Sequence, residues 1–175
     1  MSVLEIIRSR REITSFENKK IPGELLENIV DAAYYSPSGN NLNSREFILV
    51  QNRSTLDYLE KTTPYMKWLS TAQAAVVVTG RPDISKYWLQ DASIACGYVW
   101  LTATDLGLGV GFGAVYHSED QEESENREKH VRKELGLPDD RRVVAILGLG
   151  YPAEKPKEKK LLKRNETIFF EKFRQ

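Results

Sequence analysis

The stretch from residue 89 to 106 constrains this chain more than any other. Leu89, Ala92, Cys96, Val99, Ala103 and Leu106 recur at spacings of three and four, the rhythm of one helical face, while Ile94, Tyr98, Trp100 and Leu101 make the remaining faces apolar too. A helix without a polar side belongs at the centre of a fold or against a second subunit. Cys96, the only cysteine, lies inside this pattern. An internal disulfide is therefore excluded, and the thiol reads as core packing in a reducing compartment.

Shorter elements surround that helix. Phe47-Ile48-Leu49-Val50 and Ala75-Val76-Val77-Val78 are bounded and rich in β-branched residues, which predicts strands buried on both faces, and residues 143–149 predict a further one. Ser2 and Glu5 form a capping box that starts a helix running into Arg8-Ser9-Arg10-Arg11. Leu25, Leu26, Ile29, Val30 and Ala33 share one face of a second helix, with Pro22 suited to its first turn. Residues 54–61 read as a capped helix. A polar helix follows Ser118, the expected cap, with Glu119 and Asp120 complementing its positive end and Gly136 closing it.

With 175 residues, 41% of them hydrophobic, the chain supports one domain over 1–175 and little more. Its 25 basic side chains balance 25 acidic ones, so no global field favours nucleic acid or an anionic membrane, and any anion site is local. The N-terminus lacks the apolar core of a secretory signal, and no apolar run approaches the roughly 20 residues that span a bilayer. A cytoplasmic location is expected. Residues 155–175 begin Lys-rich and end with Ile168, Phe169, Phe170 and Phe173, an apolar arm that a partner subunit would cover.

Three segments offer binding chemistry. Arg8, Arg10 and Arg11 follow a helix and read either as solvated charges or as forks for a phosphate. Residues 36–43 combine serines, a proline, a glycine and three asparagines, either a plain helix-to-strand turn or a loop of fixed shape gripping a polar heterocycle. Glycines at 107, 109, 111 and 113 depart from the G-x-G-x-x-G spacing and follow a helix, so no Rossmann fingerprint is present. They read as a helix cap merging into a strand, or as backbone that lets a flat ligand approach. His117 and His130 stand far from Cys96, and no C-x-x-C or H-E-x-x-H spacing occurs, which leaves no metal or hydrolytic constellation.

In this order the segments resemble the nitroreductase family over nearly the whole chain. The family's R-R-S-x-R-x-F pattern reads here Arg10-Arg11-Glu12-Ile13-Thr14-Ser15-Phe16. Its A-P-S-x-x-N-x-Q-P-W-x-F segment corresponds to residues 36–47, its L-G-L-G helix end to Leu106-Gly107-Leu108-Gly109, and its G-Y-P-A-E-x-P turn to residues 150–156. The resemblance implies an α+β fold with a mostly antiparallel central sheet wrapped by helices, in an intertwined homodimer that shares FMN. By this likeness Arg10 and Lys159 or Lys160 hold the phosphate, with Arg11, Glu12 and Thr14 close by. Pro37, Ser38, Gly39, Asn41 and Asn43 of the other subunit contact the ring and ribityl chain, and the backbone of Gly113, Ala114 and Val115 faces the reactive edge.

Two departures from the family pattern stand out. Glu12 replaces a serine, and a carboxylate beside a phosphate is repulsive unless it turns away or pairs with an arginine. Thr14 replaces a basic residue near the pyrimidine edge, which implies a lower flavin potential or a substitute charge such as Arg11. Asn43 for Gln and Arg45 for Trp weaken any transfer of substrate preference. The resemblance further implies that FMN carries the electron chemistry, so no catalytic acid or base is expected. NAD(P)H would give hydride and a small electron-poor acceptor (nitroaromatic, quinone or flavin) would take it, in ping-pong order. Tyr65, Trp68 and Phe112 read as ordinary packing or as caps on the pocket. The alternatives are a flavin sensor or store without turnover, and a dehydrogenase or dehalogenase on the same scaffold with a different lid at 62–70.

Overall fold

The structure is a computed structural model that describes residues 2–173. Four strands, β1 (Arg45–Val50), β2 (Ala74–Gly80), β3 (Gly109–Ala114) and β4 (Arg142–Gly150), form one sheet in the order β1-β2-β4-β3 with every neighbouring pair antiparallel. Among the described residues there are six α-helices: α1 (Val3–Ser9), α2 (Gly23–Tyr34), α3 (Arg53–Leu59), α4 (Trp88–Asp105), α5 (Gln121–Leu135) and α6 (Arg164–Thr167). The α+β architecture expected from the sequence is thus present.

Each sheet face carries its own core, because side chains alternate sides along a strand. Val76 and Val78 point toward α2 and α4 and pack with Leu26, Ile29, Ala92 and Val99; Ala75 and Val77 point the other way, toward Leu56, Leu59, Leu69 and Val131. Helix α4 lies against the sheet on one side, with Ala92, Ala95, Val99 and Ala103 buried, while Ile94 and Tyr98 remain about two-fifths exposed on its outer side. A helix apolar all round therefore fills one core and presents a second apolar face.

Every residue of β2 is buried, but β1 is an edge strand and its residues 46–49 are only half-buried, so expected burial on both faces fails there. The capping box of α1 forms, and Gly136 takes the left-handed conformation (φ 64°) that ends α5. Helix α5 starts later than expected. Its cap is Asp120, which accepts the Glu123 N–H at 2.9 Å, because His117 Nδ1 first ties up the Asp120 N–H at 3.0 Å and Ser118 stays outside the helix.

The register of β4 against β2 slips between Val78 and Thr79, which pair with Ala145 and Val143 and leave Val144 as a bulge. Its carbonyl accepts both the Val115 N–H (3.0 Å) and the Tyr116 N–H (3.2 Å), and this turns the chain out of the sheet directly after β3. Beyond β4 the described chain runs exposed from residue 154 apart from half-buried Phe169, with only the four-residue α6 as regular structure, and positions 174 and 175 of the predicted arm lie outside the described residues.

Candidate functional site

The arginine segment is laid along the outer edge of β3. Ile13 donates its N–H to the Val110 carbonyl (3.0 Å), Glu12 and Val110 form a parallel bridge, and Phe16 bridges Pro152. What allows so close an approach is the glycine series. A Cβ on Gly109 would sit 2.7 Å from Ile13 Cβ, one on Gly111 2.9 Å from the Ile13 carbonyl oxygen, and one on Gly113 2.7 Å from Met66 Sδ. The open side of these glycines is thus filled by Ile13, Trp68 and Met66 of the same chain. Met66 and Leu69 belong to the core on that side of the sheet and Trp68 packs against it, so the 62–70 stretch is anchored from within, ending in a 3-10 turn over Lys67–Ser70, with Tyr65 standing out at 81% exposure.

Alternation decides which backbone groups of β3 remain available. Ile13 bonds Val110, and the Phe112 N–H reaches Glu12 Oε1 at 3.4 Å, so the even-numbered residues face the outer edge. Ala114 is next in that series and is exposed, with its N–H directed outward, whereas the Val115 N–H is spent on Val144. Glu12 therefore turns its carboxylate toward β3 and forms no ion pair with either arginine among the described residues.

Arg10 and Arg11 play different parts. The Arg11 guanidinium donates to the carbonyls of Arg8, Ser9 and Arg10 (2.8, 3.0 and 2.9 Å) and to that of Lys157 (3.0 Å). It closes the end of α1 and ties the Lys-rich segment to this loop, bringing Lys159 and Lys160 into its neighbourhood in sequence, both exposed. Arg10 has no carboxylate partner among the described residues; its guanidinium carbon lies 4.5 Å from the centre of the Trp100 ring. Trp100 also donates its indole N–H to the Arg11 carbonyl (3.2 Å) and stacks on Phe112 with an angle of 7° between the rings. Thr14 is exposed.

The serine- and asparagine-rich loop is fixed elsewhere. Buried Asp91, in the first turn of α4, accepts the Gly39 N–H (2.8 Å) and the Ser44 hydroxyl (2.5 Å), and Arg45 donates to the Ser36 carbonyl and hydroxyl. Ser38 donates to the Leu42 carbonyl (2.8 Å), and Asn40 and Asn41 both take φ of 55°, a conformation asparagine tolerates. The loop walls an open cleft of about 640 Å³ with Tyr34, Tyr35 and Phe47, and Pro37, Asn41 and Asn43 are exposed. Among the described residues the side-chain amides of Asn41 and Asn43 have no hydrogen-bond partner.

These two groups stand at different levels of α4. Asp91 anchors one and Trp100 the other, nine residues apart, or roughly 14 Å along the axis. One chain thus offers an unpaired guanidinium with an outward amide at one level and a rigid polar loop at another. Such donors suit an anionic ligand with a flat, acceptor-rich body. No cluster of three or more metal-ligating side chains occurs among the described residues, and burial pushes the Cys96 thiol up to about 12, which keeps it unreactive.

Sequence reasoning passed over Asp91, Trp100 and Glu128. Asp91 and Trp100 hide within the apolar pattern of α4. Glu128, fully buried on polar α5, accepts Arg142 (2.7 Å), Arg132 (3.1 Å), Ser124 (3.0 Å) and the Val143 N–H (2.9 Å). Burial opposes its charge, but these donors outweigh it and hold the carboxyl below its ordinary range.

Comparison with known proteins identifies the family. The model of the nitroreductase family matches residues 7–63 and 60–151, and the chain belongs to that family. A protein of Methanothermobacter thermautotrophicus, provisionally named NADH dehydrogenase/NAD(P)H nitroreductase, is 35% identical over 159 residues, 89% of this chain and 80% of that protein. A crystal structure of a Bacteroides thetaiotaomicron protein with the same provisional name superposes with a TM-score of 0.89 at 29% identity, covering 99% of both chains. The FMN-dependent nitroreductase of Clostridium difficile R20291 superposes at 0.87 and 28% identity, over 97% of this chain and 99% of that one.

Proposed function

We propose that the protein is an FMN-dependent NAD(P)H oxidoreductase that reduces small electron-poor acceptors, nitroaromatics, quinones or flavins, in ping-pong order. The observation that carries this reading is Arg10, a guanidinium without a carboxylate partner held over Trp100 beside the β3 edge, where the Ala114 N–H points outward. FMN, when bound, supplies the two-electron chemistry. Arg10 binds its phosphate, assisted by Lys159 or Lys160, and Arg11 supports the loop through the carbonyls it already holds. The Ala114 amide orients the reactive edge by a hydrogen bond that survives side-chain substitution.

Pro37, Ser38, Gly39, Asn41 and Asn43 complete the site from a second copy, since within one chain they stand at the other level of α4. Unmatched apolar surface supports such a homodimer: Val3, Leu4 and Ile7 on α1, Ile94 and Tyr98 on α4, and Leu161, Leu162, Phe170 and Phe173 on the C-terminal segment are all exposed. In this reading residues 1–175 form one domain whose arm from 155 onward packs on the partner. No helix among the described residues is long and apolar enough to cross a membrane, and the lone buried cysteine favours a reducing cytoplasm.

The test is spectroscopic. Freshly purified protein should be yellow, should bleach promptly on anaerobic mixing with NADPH or NADH, and should lose its flavin on Arg10→Ala. A yellow protein indifferent to both nicotinamides would be a flavin store or sensor, and unchanged flavin occupancy in Arg10→Ala would overturn the phosphate assignment.

A further inference from the structure

Trp100 makes three contacts in one place. Its ring lies under the Arg10 guanidinium (4.5 Å), its indole N–H binds the Arg11 carbonyl (3.2 Å), and its plane runs parallel to Phe112 at 5.8 Å between centres. Of the two adjacent arginines, Arg11 is held by four backbone carbonyls, while Arg10 meets no carboxylate among the described residues. Among the described residues the indole ring is thus the one support for the side chain that the proposed function assigns to the phosphate.

We infer that Trp100 is a positioning residue for phosphate recognition, presetting the Arg10 guanidinium over its ring and pinning the adjoining peptide, so that it selects the phosphorylated flavin. The inference rests on the proposed FMN site. A guanidinium left free at the end of α1 would lose several rotatable bonds of freedom on meeting a phosphate; one already seated on an aromatic face loses less. Trp100 itself touches no phosphate oxygen in this scheme and acts through Arg10. If Trp100 were only core packing between α4 and β3, its loss would weaken every flavin alike.

FMN and riboflavin, which differ by the phosphate alone, separate these roles. Dissociation constants for both are measured by flavin fluorescence on the full-length, flavin-stripped protein, for wild type, Trp100→Phe, Trp100→Leu, Arg10→Ala and the Arg10→Ala/Trp100→Leu double variant. The preference for FMN over riboflavin should fall roughly 2- to 30-fold in Trp100→Leu, the range of an aromatic–cation contact, and by less in Trp100→Phe. In the Arg10→Ala background Trp100→Leu should change that preference no further. A wild type without preference for FMN would sink the phosphate reading itself. A wild type that prefers FMN, with the preference intact in either Trp100 variant or in the one that folds, would sink the role of Trp100 and leave the site standing.

Discussion

Gly109→Ala tests how the arginine segment is seated. A Cβ at position 109 would come within 2.7 Å of both Cβ and Cγ1 of Ile13 and 2.8 Å of its Cγ2. Those atoms are the stiff root of a β-branched side chain, so relief requires the backbone of residues 10–14 to move away from β3, stretching the Ile13–Val110 hydrogen bond of 3.0 Å. Overpacking of this kind costs about 1–3 kcal/mol, and the stiffer unfolded chain returns about 0.4–1 kcal/mol. The net loss is roughly 1–2 kcal/mol, or about 2–8 °C in Tm for a chain of this size. Arg10 should shift with the segment, so flavin retained through purification should fall as well. Gly113→Ala is the comparison variant, because its new methyl meets the flexible thioether end of Met66 and not a stiff β-branched root, and it should cost less than Gly109→Ala. Thermal unfolding and the visible absorbance of purified protein read both effects. If Gly109→Ala melted with Gly113→Ala and kept full flavin, the segment would not be positioned by glycine packing.

Glu128→Gln should lower Tm by about 6–12 °C at pH 7, since removing the charge from a buried, multiply bonded pair costs about 3 kcal/mol. Glu128 ionises more readily folded than unfolded, so its contribution is complete above the unfolded carboxylate range and disappears as pH falls through the lower folded value. The gap between wild type and variant should therefore close in acid scans below about pH 4; a gap constant from pH 7 to 3 would exclude a charge-based role. Thr14→Lys adds a cation to an exposed position four residues beyond Arg10 and should raise the potential of bound flavin in a redox titration, because a nearby positive charge favours the reduced anion; an unchanged potential would place Thr14 away from the ring.

How much of this was legible depends on whether a signal is periodic or local. Helix α4 and strands β2 and β4 follow from apolar rhythm, which burial on both sides enforces. The same signal misjudged β1, because a run of apolar residues does not say whether a second strand lies beyond it. The glycines at 109, 111 and 113 held a period of two that marks a strand with one bare face, and the bare face is needed by Ile13, Trp68 and Met66, residues that no spacing rule connects to them. The start of α5 is set by three local bonds to three different amides, Ser124 accepting from His117, His117 from Asp120 and Asp120 from Glu123, and no periodicity announces which of the polar residues takes the capping position.

For the candidate site the lesson is sharper. The motif placed two adjacent arginines together, yet their roles divide by what surrounds them: four carbonyls hold Arg11, while Arg10 rests on the ring of Trp100, contributed by α4 some 90 positions later. Likewise the asparagine-rich loop owes its shape to Asp91 and Arg45, neither of them part of the composition that drew attention to it. Helix α4 thus orients both groups, through a carboxylate near its start and an indole near its end, roughly 14 Å apart. A rigid helix keeps those two levels at a fixed separation. In the homodimer proposed above, its exposed face, marked by Ile94 and Tyr98 between those two levels, would let an antiparallel second copy set the carboxylate-held loop of one chain opposite the indole-held arginine of the other.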